Sequence, residues 1–407
     1  MTDQHLAQKP TENEQRKQMK KSEKLFLALL LLAIAAVLFI RFVPVSFVGV
    51  NVVALSPGSA PTTIEKINIE GTDTYAPEGE IKFTTVSIES DSLTIWEWFR
   101  ARNDEIRELR DREDFYGDKS KAETRTINNF MMQQSQDTAS LVAAKYLGYE
   151  IIPEVAGAYV VEIVSNSPAD IFLQLGDLIV EVDGIKVESP KDLGDAIKSK
   201  EPGETVSIGY KRSEGTFETP SSDELVKIQE ISLTTHPTLD NTGFLGVVIQ
   251  TPLVADIPFD ISIDVGRVGG PSAGLAFSLT ILDFLTKGEL TGGLSVATTG
   301  TIDQYGNVGS VGAYAQKAEA AARSGIDVFL VPPAGFRTVE RISAGRFAVR
   351  CVSTFNDAII ELSNFGGNGI QIANERGLPI PKKSNSEIDT NDGYLSCAEV
   401  ISENKNN

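Results

Sequence analysis

The chain has 407 residues, a net formal charge of -19, and ordinary apolar and charged fractions of 41% and 23%. That length allows two or three domains. The acidic balance is spread along the chain and argues against nucleic acid as a partner, because phosphate binding needs a basic surface.

The first element is an unbroken apolar run from Leu25 to Ile40, extended by Arg41, Phe42 and Val43 to the length that spans a bilayer. Arg16, Lys17, Lys20, Lys21 and Lys24 precede it, which predicts a cytoplasmic N-terminus and an exported remainder. A cleaved secretory signal has the same basic flank and apolar core. No Ala-x-Ala site follows, and Arg41, Phe42, Val43 and Phe47 are poor cleavage neighbours, so an uncleaved anchor over 25–43 is expected.

Residues 44–145 read as one extracytoplasmic β/helical region. Alternation around Val45–Leu55, Ile64–Ile69 and Ile81–Ser90 predicts strands, and the charged stretch from Leu93 to about Leu147 predicts helix. Nothing in this region suggests chemistry. It is expected to space or support the later domains.

From Tyr146 to about Arg212 the pattern changes. Val160–Val164 predicts a strand, Ser167-Pro168-Ala169 a helix start, and Leu175–Gly184 a turn, a buried strand and an Asp-Gly turn. Asp192–Ile197 predicts a helix and Val206–Lys211 a closing strand. Together, Ser167-Pro168-Ala169, Leu175-Gly176-Asp177, Val182-Asp183-Gly184 and Asp192-Leu193 make 146–230 resemble a PDZ domain. The resemblance implies peptide capture by strand addition, with Leu147, Gly148 and Tyr149 as the loop that holds a carboxylate. A small β domain with a closed groove fits the same pattern.

Residues 231–366 form the last predicted domain. Its strands are Leu245–Gln250 and Ile261–Val265, followed by an apolar helix Ala273–Leu285, a glycine-punctuated strand region and an Ala-rich helix Tyr314–Ser324. Strand Val328–Val331 and a helix near Asp357–Leu362 complete it. The polar stretch 367–407 lacks periodicity and is expected to be a disordered tail. Cys351 and Cys397 lie in such different surroundings that they make no disulfide framework; a single pair stays open but is not favoured, because Cys397 sits in the polar tail.

The chemistry centres on Gly269-Gly270-Pro271-Ser272-Ala273-Gly274. The glycines clear the approach to Ser272, and N–H groups at the helix start could receive an oxyanion. Taken alone, the same stretch also starts a helix with Ser272 as its cap. A serine needs a base, and the only histidines are His5, ahead of the apolar run, and His236. On the Ala-rich helix, Lys317 shares a face with Ala313, Ala320, Ala321 and Ser324. Burial there would lower the ammonium pKa and leave an amine able to act as a base. A lysine at the edge of that stripe could instead reach out to water.

Here the chain resembles the proteolytic domain of the Lon family, through Gly270-Pro271-Ser272-Ala273-Gly274, Thr299-Gly300-Thr301-Ile302, Gly306-Asn307-Val308, Lys317 with Ala320–Ile326, and Val331-Pro332. The resemblance implies Ser272 as nucleophile, Lys317 as base and Thr299 as the group that orients the lysine. It places Gly270, Pro271 and Ala273 in the nucleophile and oxyanion loop.

The chain departs from that pattern in having Gly269 where the family has an acid, Ala313 in place of a glycine, and a slightly longer connection from Thr299 to Lys317. It also lacks a Gly-x-x-x-x-Gly-Lys-[Ser/Thr] phosphate loop, so no ATP-driven motor is expected. An anchor, a PDZ module and a Lon-type domain in this order resemble the membrane-anchored Lon-like PDZ proteases.

The expected fold is therefore α+β. The implied activity is ATP-independent cleavage of unfolded or extended polypeptides outside the membrane, with no cofactor and no metal. A hexamer is plausible by resemblance. The rival readings are a membrane-anchored PDZ scaffold that does not cleave, and an amidase or esterase using the same pair.

Overall fold

A computed structural model describes residues 12–89, 93–117, 119–153, 156–213, 219–220, 223–239, 241–377, 380–382, 397 and 401. The chain divides into two compact units, one of 1–56 with 87–118 and one of 57–86 with 119–407.

The first unit begins with helix α1, Glu12–Phe42. Its part Glu23–Phe42 has a mean hydropathy of 2.8 and none of its apolar window is buried within the protein, so it is long and apolar enough to cross a membrane. A signal sequence has the same properties. After α1 the chain turns through a 3-10 segment, Val45–Val48, into a sheet with Val52–Pro57 between Val86–Glu89 and Glu108–Asp111. Helix α2, Ile95–Ala101, starts at a capping box between Thr94 and Glu97. Val45, Ala54 and Leu93 form the small core.

The second unit opens with strands β1, Ile67–Glu70, and β2, Glu80–Phe83, followed by the long helix α3, Lys121–Tyr146. Next come β3, Ile151–Pro153, β4, Ala158–Ile163, and β5, Leu178–Val182. Helix α4, Pro190–Lys198, and strands β6, Thr205–Lys211, and β7, Lys227–Ser232, complete the small β domain's own segment. Strands β8, Val247–Gln250, β9, Leu253–Ala255, and β10, Asp260–Ile263, lead into the buried helix α5, Gly274–Phe284. Strand β11, Ser295–Thr298, the hairpin β12, Thr301–Ile302, with β13, Val308–Gly309, and helix α6, Tyr314–Arg323, come after it. The end of the unit is β14, Val328–Val331, β15, Ala348–Cys351, and helices α7, Phe355–Ser363, and α8, Gly369–Glu375.

The expected region 44–145 is not one body. Its β2 pairs in parallel with β11, so the central sheet runs β15-β14-β11-β2, and β1 pairs with β10. Local alternation shows that a strand exists but not which sheet accepts it, and these partners lie about two hundred residues away. The boundary at 231 moves as well. β8 joins the small domain's sheet, in the order β7-β6-β5-β4-β8, where Leu245 packs against Leu193 and Ile197 of α4.

Two further corrections concern the C-terminal stretch. Residues 369–375 form α8, which buries Ile372 and Ala373, and Cys397 is joined to Cys351 by a disulfide. A short helix with two apolar anchors has too little periodicity to stand out from a polar background. Most of the remainder of the expected tail lies outside the described residues. The core of the second unit gathers on α5, which is mostly apolar and buried from Gly274 to Asp283.

Candidate active site

Ser272 lies in the turn immediately before α5, flanked by Gly270 at φ +91° and by Ala273, the helix cap. Pro271 therefore precedes the helix instead of opening it. The loop and the end of β11 are stitched together, since Gly300 N–H donates to Ser272 O at 3.0 Å and Leu275 N–H donates to Gly300 O at 3.4 Å. The N–H groups of Ser272 and Ala273 make no hydrogen bond among the described residues, and both lie beside the serine hydroxyl.

Thr299 follows β11 and is held by its N–H, which donates to Leu330 O at 3.2 Å. Its hydroxyl Oγ1 donates to Ser272 O at 3.4 Å and accepts from Lys317 Nζ at 2.9 Å. Lys317 comes from α6, a helix favoured by its alanines. Ala318, Ala320 and Ala321 are buried around it, and the lysine itself is only 4% exposed. Burial strips the ammonium of water and lowers its pKa to about 7. Glu319, on the opposite face, pairs with Arg323 and Arg346 instead. The structure thus brings Ser272, Thr299 and Lys317 together, although no hydrogen bond joins Ser272 Oγ to Lys317 Nζ among the described residues.

Sequence reasoning missed the part played by α3. Asn128 O accepts the Gly270 N–H at 2.7 Å, and Ser135 Oγ donates to Pro271 O at 3.0 Å. These bonds hold the two residues ahead of the serine from outside the loop. The approach is close enough to explain two glycines. A Cβ on Gly269 would lie 2.9 Å from Asn128 Cβ, and one on Gly274 would lie 2.8 Å from Ser135 Oγ. A side chain at 269 would thus meet α3. A signal existed in the stripe Met132, Ser135, Ala139, Val142, which is buried and contains one polar residue.

The expected carboxylate loop does something else. The N–H groups of Leu147, Gly148 and Tyr149 donate to Ala143, Lys145 and Ala144 carbonyls, closing the C-terminus of α3. Leu147 is buried, and Tyr149 packs edge-on against Phe259. These donors are engaged, so they make no nest for a peptide carboxylate. Strand β4 is paired on both edges, by β5 and β8, and β3 pairs with β9. What the small domain offers instead is a wall. Tyr159 and Val161 of β4 face a cavity of about 1020 Å³ that is also lined by Gln134 and Thr138 of α3, Pro271, and Ile302 of β12. Pro271 places this cleft one residue from Ser272. Among the described residues, no group of three or more His, Cys, Asp or Glu side chains is placed to hold a metal ion.

Comparison with known proteins matches two parts of the chain to family models. Residues 145–220 match the family model of the PDZ domain, and residues 259–357 match that of the Lon protease (S16) C-terminal proteolytic domain. The latter span contains Ser272, Thr299 and Lys317.

The chain is 27% identical over 173 residues to the Lon protease of Rickettsia bellii, a match covering 37% of this chain and 21% of that protein. It is 34% identical over 96 residues to the Lon protease of Aster yellows witches'-broom phytoplasma, covering 23% and 12%. The chain thus spans about a fifth or less of the length of these relatives. Among solved structures, the PDZ domain of an SdrC-like protein from Listeria monocytogenes is 31% identical, with 23% of this chain and 87% of that one covered and a TM-score of 0.20. The chain thus carries a segment that matches the PDZ domain and a segment that matches the Lon-type proteolytic domain, behind one N-terminal apolar helix.

Proposed function

We infer that the protein is a serine endopeptidase with a Ser272–Lys317 dyad, held by α1 at the cell membrane with its proteolytic domain outside the cytoplasm. The observation that carries this reading is the buried, desolvated amine of Lys317, one hydroxyl away from the Ser272 carbonyl. Neutral Lys317 takes the proton of Ser272 as its oxygen attacks the substrate carbonyl carbon. The oxyanion turns to the free N–H groups of Ser272 and Ala273. Lys317 then gives its proton to the leaving amine, the C–N bond breaks, and an acyl-enzyme remains. Water then loses a proton to Lys317 as it attacks the ester carbon, the bond to Ser272 Oγ breaks, and Lys317 returns that proton to Oγ, regenerating the serine and the neutral amine.

Two features support an extracytoplasmic site. The basic residues ahead of the apolar stretch of α1 favour a cytoplasmic N-terminus, and the Cys351–Cys397 disulfide suits an oxidising compartment. An open cleft, with no phosphate-loop motif in the sequence, fits unfolded or extended polypeptide as substrate and no need for ATP. The PDZ domain serves here as one wall of the cleft.

The test is turnover of a labelled unfolded polypeptide by the full chain in detergent. Cleavage should persist without ATP and vanish in Ser272→Ala and Lys317→Ala; undiminished cleavage by either variant sinks the dyad. The missing Ser272–Lys317 hydrogen bond favours one rival, a scaffold that binds peptide without cutting it. Saturable binding with no turnover by the natural chain would support that rival.

A further inference from the structure

Where α1 leaves its apolar stretch, the chain does not run straight on. The 3-10 segment Val45–Val48 folds back so that the Phe47 ring meets Phe39 edge-on, with centroids 6.3 Å apart. Phe39 lies inside the apolar stretch, three residues before its end, or about 4.5 Å along the helix axis. Phe47 is nevertheless 77% exposed.

Helix α2 is tied to the same level. Val45 N–H donates to Leu93 O at 2.8 Å, Ile95 N–H donates to Val43 O at 3.1 Å, and Pro44 bridges Thr94. On α2, Trp96 and Phe99 stand at i and i+3 on one face and are 42% and 56% exposed. They line a shallow cavity of about 470 Å³ with Arg100, Asn103, Asp104 and Glu105. Arg41 and Arg102 lie over the rings of Phe42 and Trp98.

We propose that Val45–Val48 and α2 form a collar that seats this unit on the lipid interface, with Phe47, Trp96 and Phe99 at the boundary of headgroups and acyl chains. Large aromatic side chains left in water by a monomer are costly, and Trp in particular concentrates at that boundary. Arg100 beside Trp96 and Phe99 suits a lipid phosphate, while Asp104 suits a cationic headgroup rather than a purely anionic surface. The occupant is a glycerophospholipid bilayer, because the patch is continuous with the apolar stretch of α1. The collar would hold α2 against the membrane and restrict how the unit tilts. This inference rests on reading α1 as a retained span.

The chain has two tryptophans, Trp96 and Trp98, so Trp98→Phe makes Trp96 the only reporter. The full chain carrying Trp98→Phe is reconstituted in phosphatidylethanolamine–phosphatidylglycerol vesicles with bromines placed at shallow or deep acyl positions. Shallow bromines should quench Trp96 emission at least twofold and deep ones less. If Trp98→Phe does not fold, the natural chain and Trp96→Phe are compared, and the shallow-quenched component should vanish in the variant. Alkaline carbonate extraction of the same vesicles separates the two readings. A chain that stays in the pellet with Trp96 unquenched overturns the collar alone. A chain released into the supernatant removes the anchor, and the collar with it.

Discussion

Lys317 Nζ donates to Thr299 Oγ1 at 2.9 Å from a position where burial has already lowered its pKa to about 7. The hydrogen bond fixes where the amine sits, and the desolvation sets when it is neutral. A base must be deprotonated to work, so hydrolysis should rise with pH through about 7 and then level off. Stability carries a second signature of the same burial. The folded pKa lies below the unfolded 10.5, so the unfolded chain binds the extra proton between the two values. Stability therefore climbs as pH rises from about 7 toward 10.5 and is lowest below 7. Lys317→Met should remove cleavage and melt higher than the parent at pH 6, with the gap narrowing by pH 10. Equal melting temperatures at pH 6 would contradict a buried, charge-averse lysine.

Thr299 meets the lysine through a single hydroxyl. Thr299→Ser keeps that oxygen and should retain most activity, whereas Thr299→Val keeps the shape and loses the acceptor. A lost hydrogen bond to a catalytic group is worth about 1–2 kcal/mol, so kcat should fall roughly tenfold in Thr299→Val while KM holds. Single-turnover acylation kinetics would read this directly, and a fall in the serine variant equal to that in the valine variant would refute it.

Much of the site was legible in the sequence because the responsible residues lie in short, chemically unusual contexts. Ser272 sits among glycines, and Lys317 sits on an alanine stripe that has to face inward. What could not be read depends on distant partners. The hydrogen bonds from Ser135 and Asn128 to the nucleophile loop span more than a hundred residues, and helical periodicity says only that Ser135 is buried. Leu147, Gly148 and Tyr149 show the converse. Their motif fits a carboxylate loop, but the same N–H groups end a helix whose length became visible only once α3 had packed on α5. The β2 and β8 assignments failed for the same reason, since register and sheet membership are set by tertiary pairing.

Ser135 should be a positioning residue. Ser135→Ala removes the donor to Pro271 O without adding bulk, and it frees the loop ahead of Ser272 to shift. The expected result is a fall in kcat of about five- to tenfold, from a net loss near 1 kcal/mol. KM and the pH midpoint set by Lys317 should stay in place. A displaced midpoint would mean that the substitution disturbs the lysine pocket and not the loop.

Gly269 gives a test of how tightly α3 clasps the nucleophile loop. Restoring the family's acid with Gly269→Asp would drive a side chain into Asn128, whose Cβ would lie 2.9 Å from the new Cβ. The backbone of Asn128 stands 3.2 Å away, so rotation of one side chain does not relieve the contact. Overpacking of this kind costs about 1–3 kcal/mol, and here it also strains the Gly270–Asn128 hydrogen bond. Gly269→Asp should lower the melting temperature by several degrees and reduce kcat. Gly269→Ala should do the same to a lesser degree, which separates steric crowding from added charge. An aspartate variant as stable as the parent would show that α3 can lift from the loop at little cost.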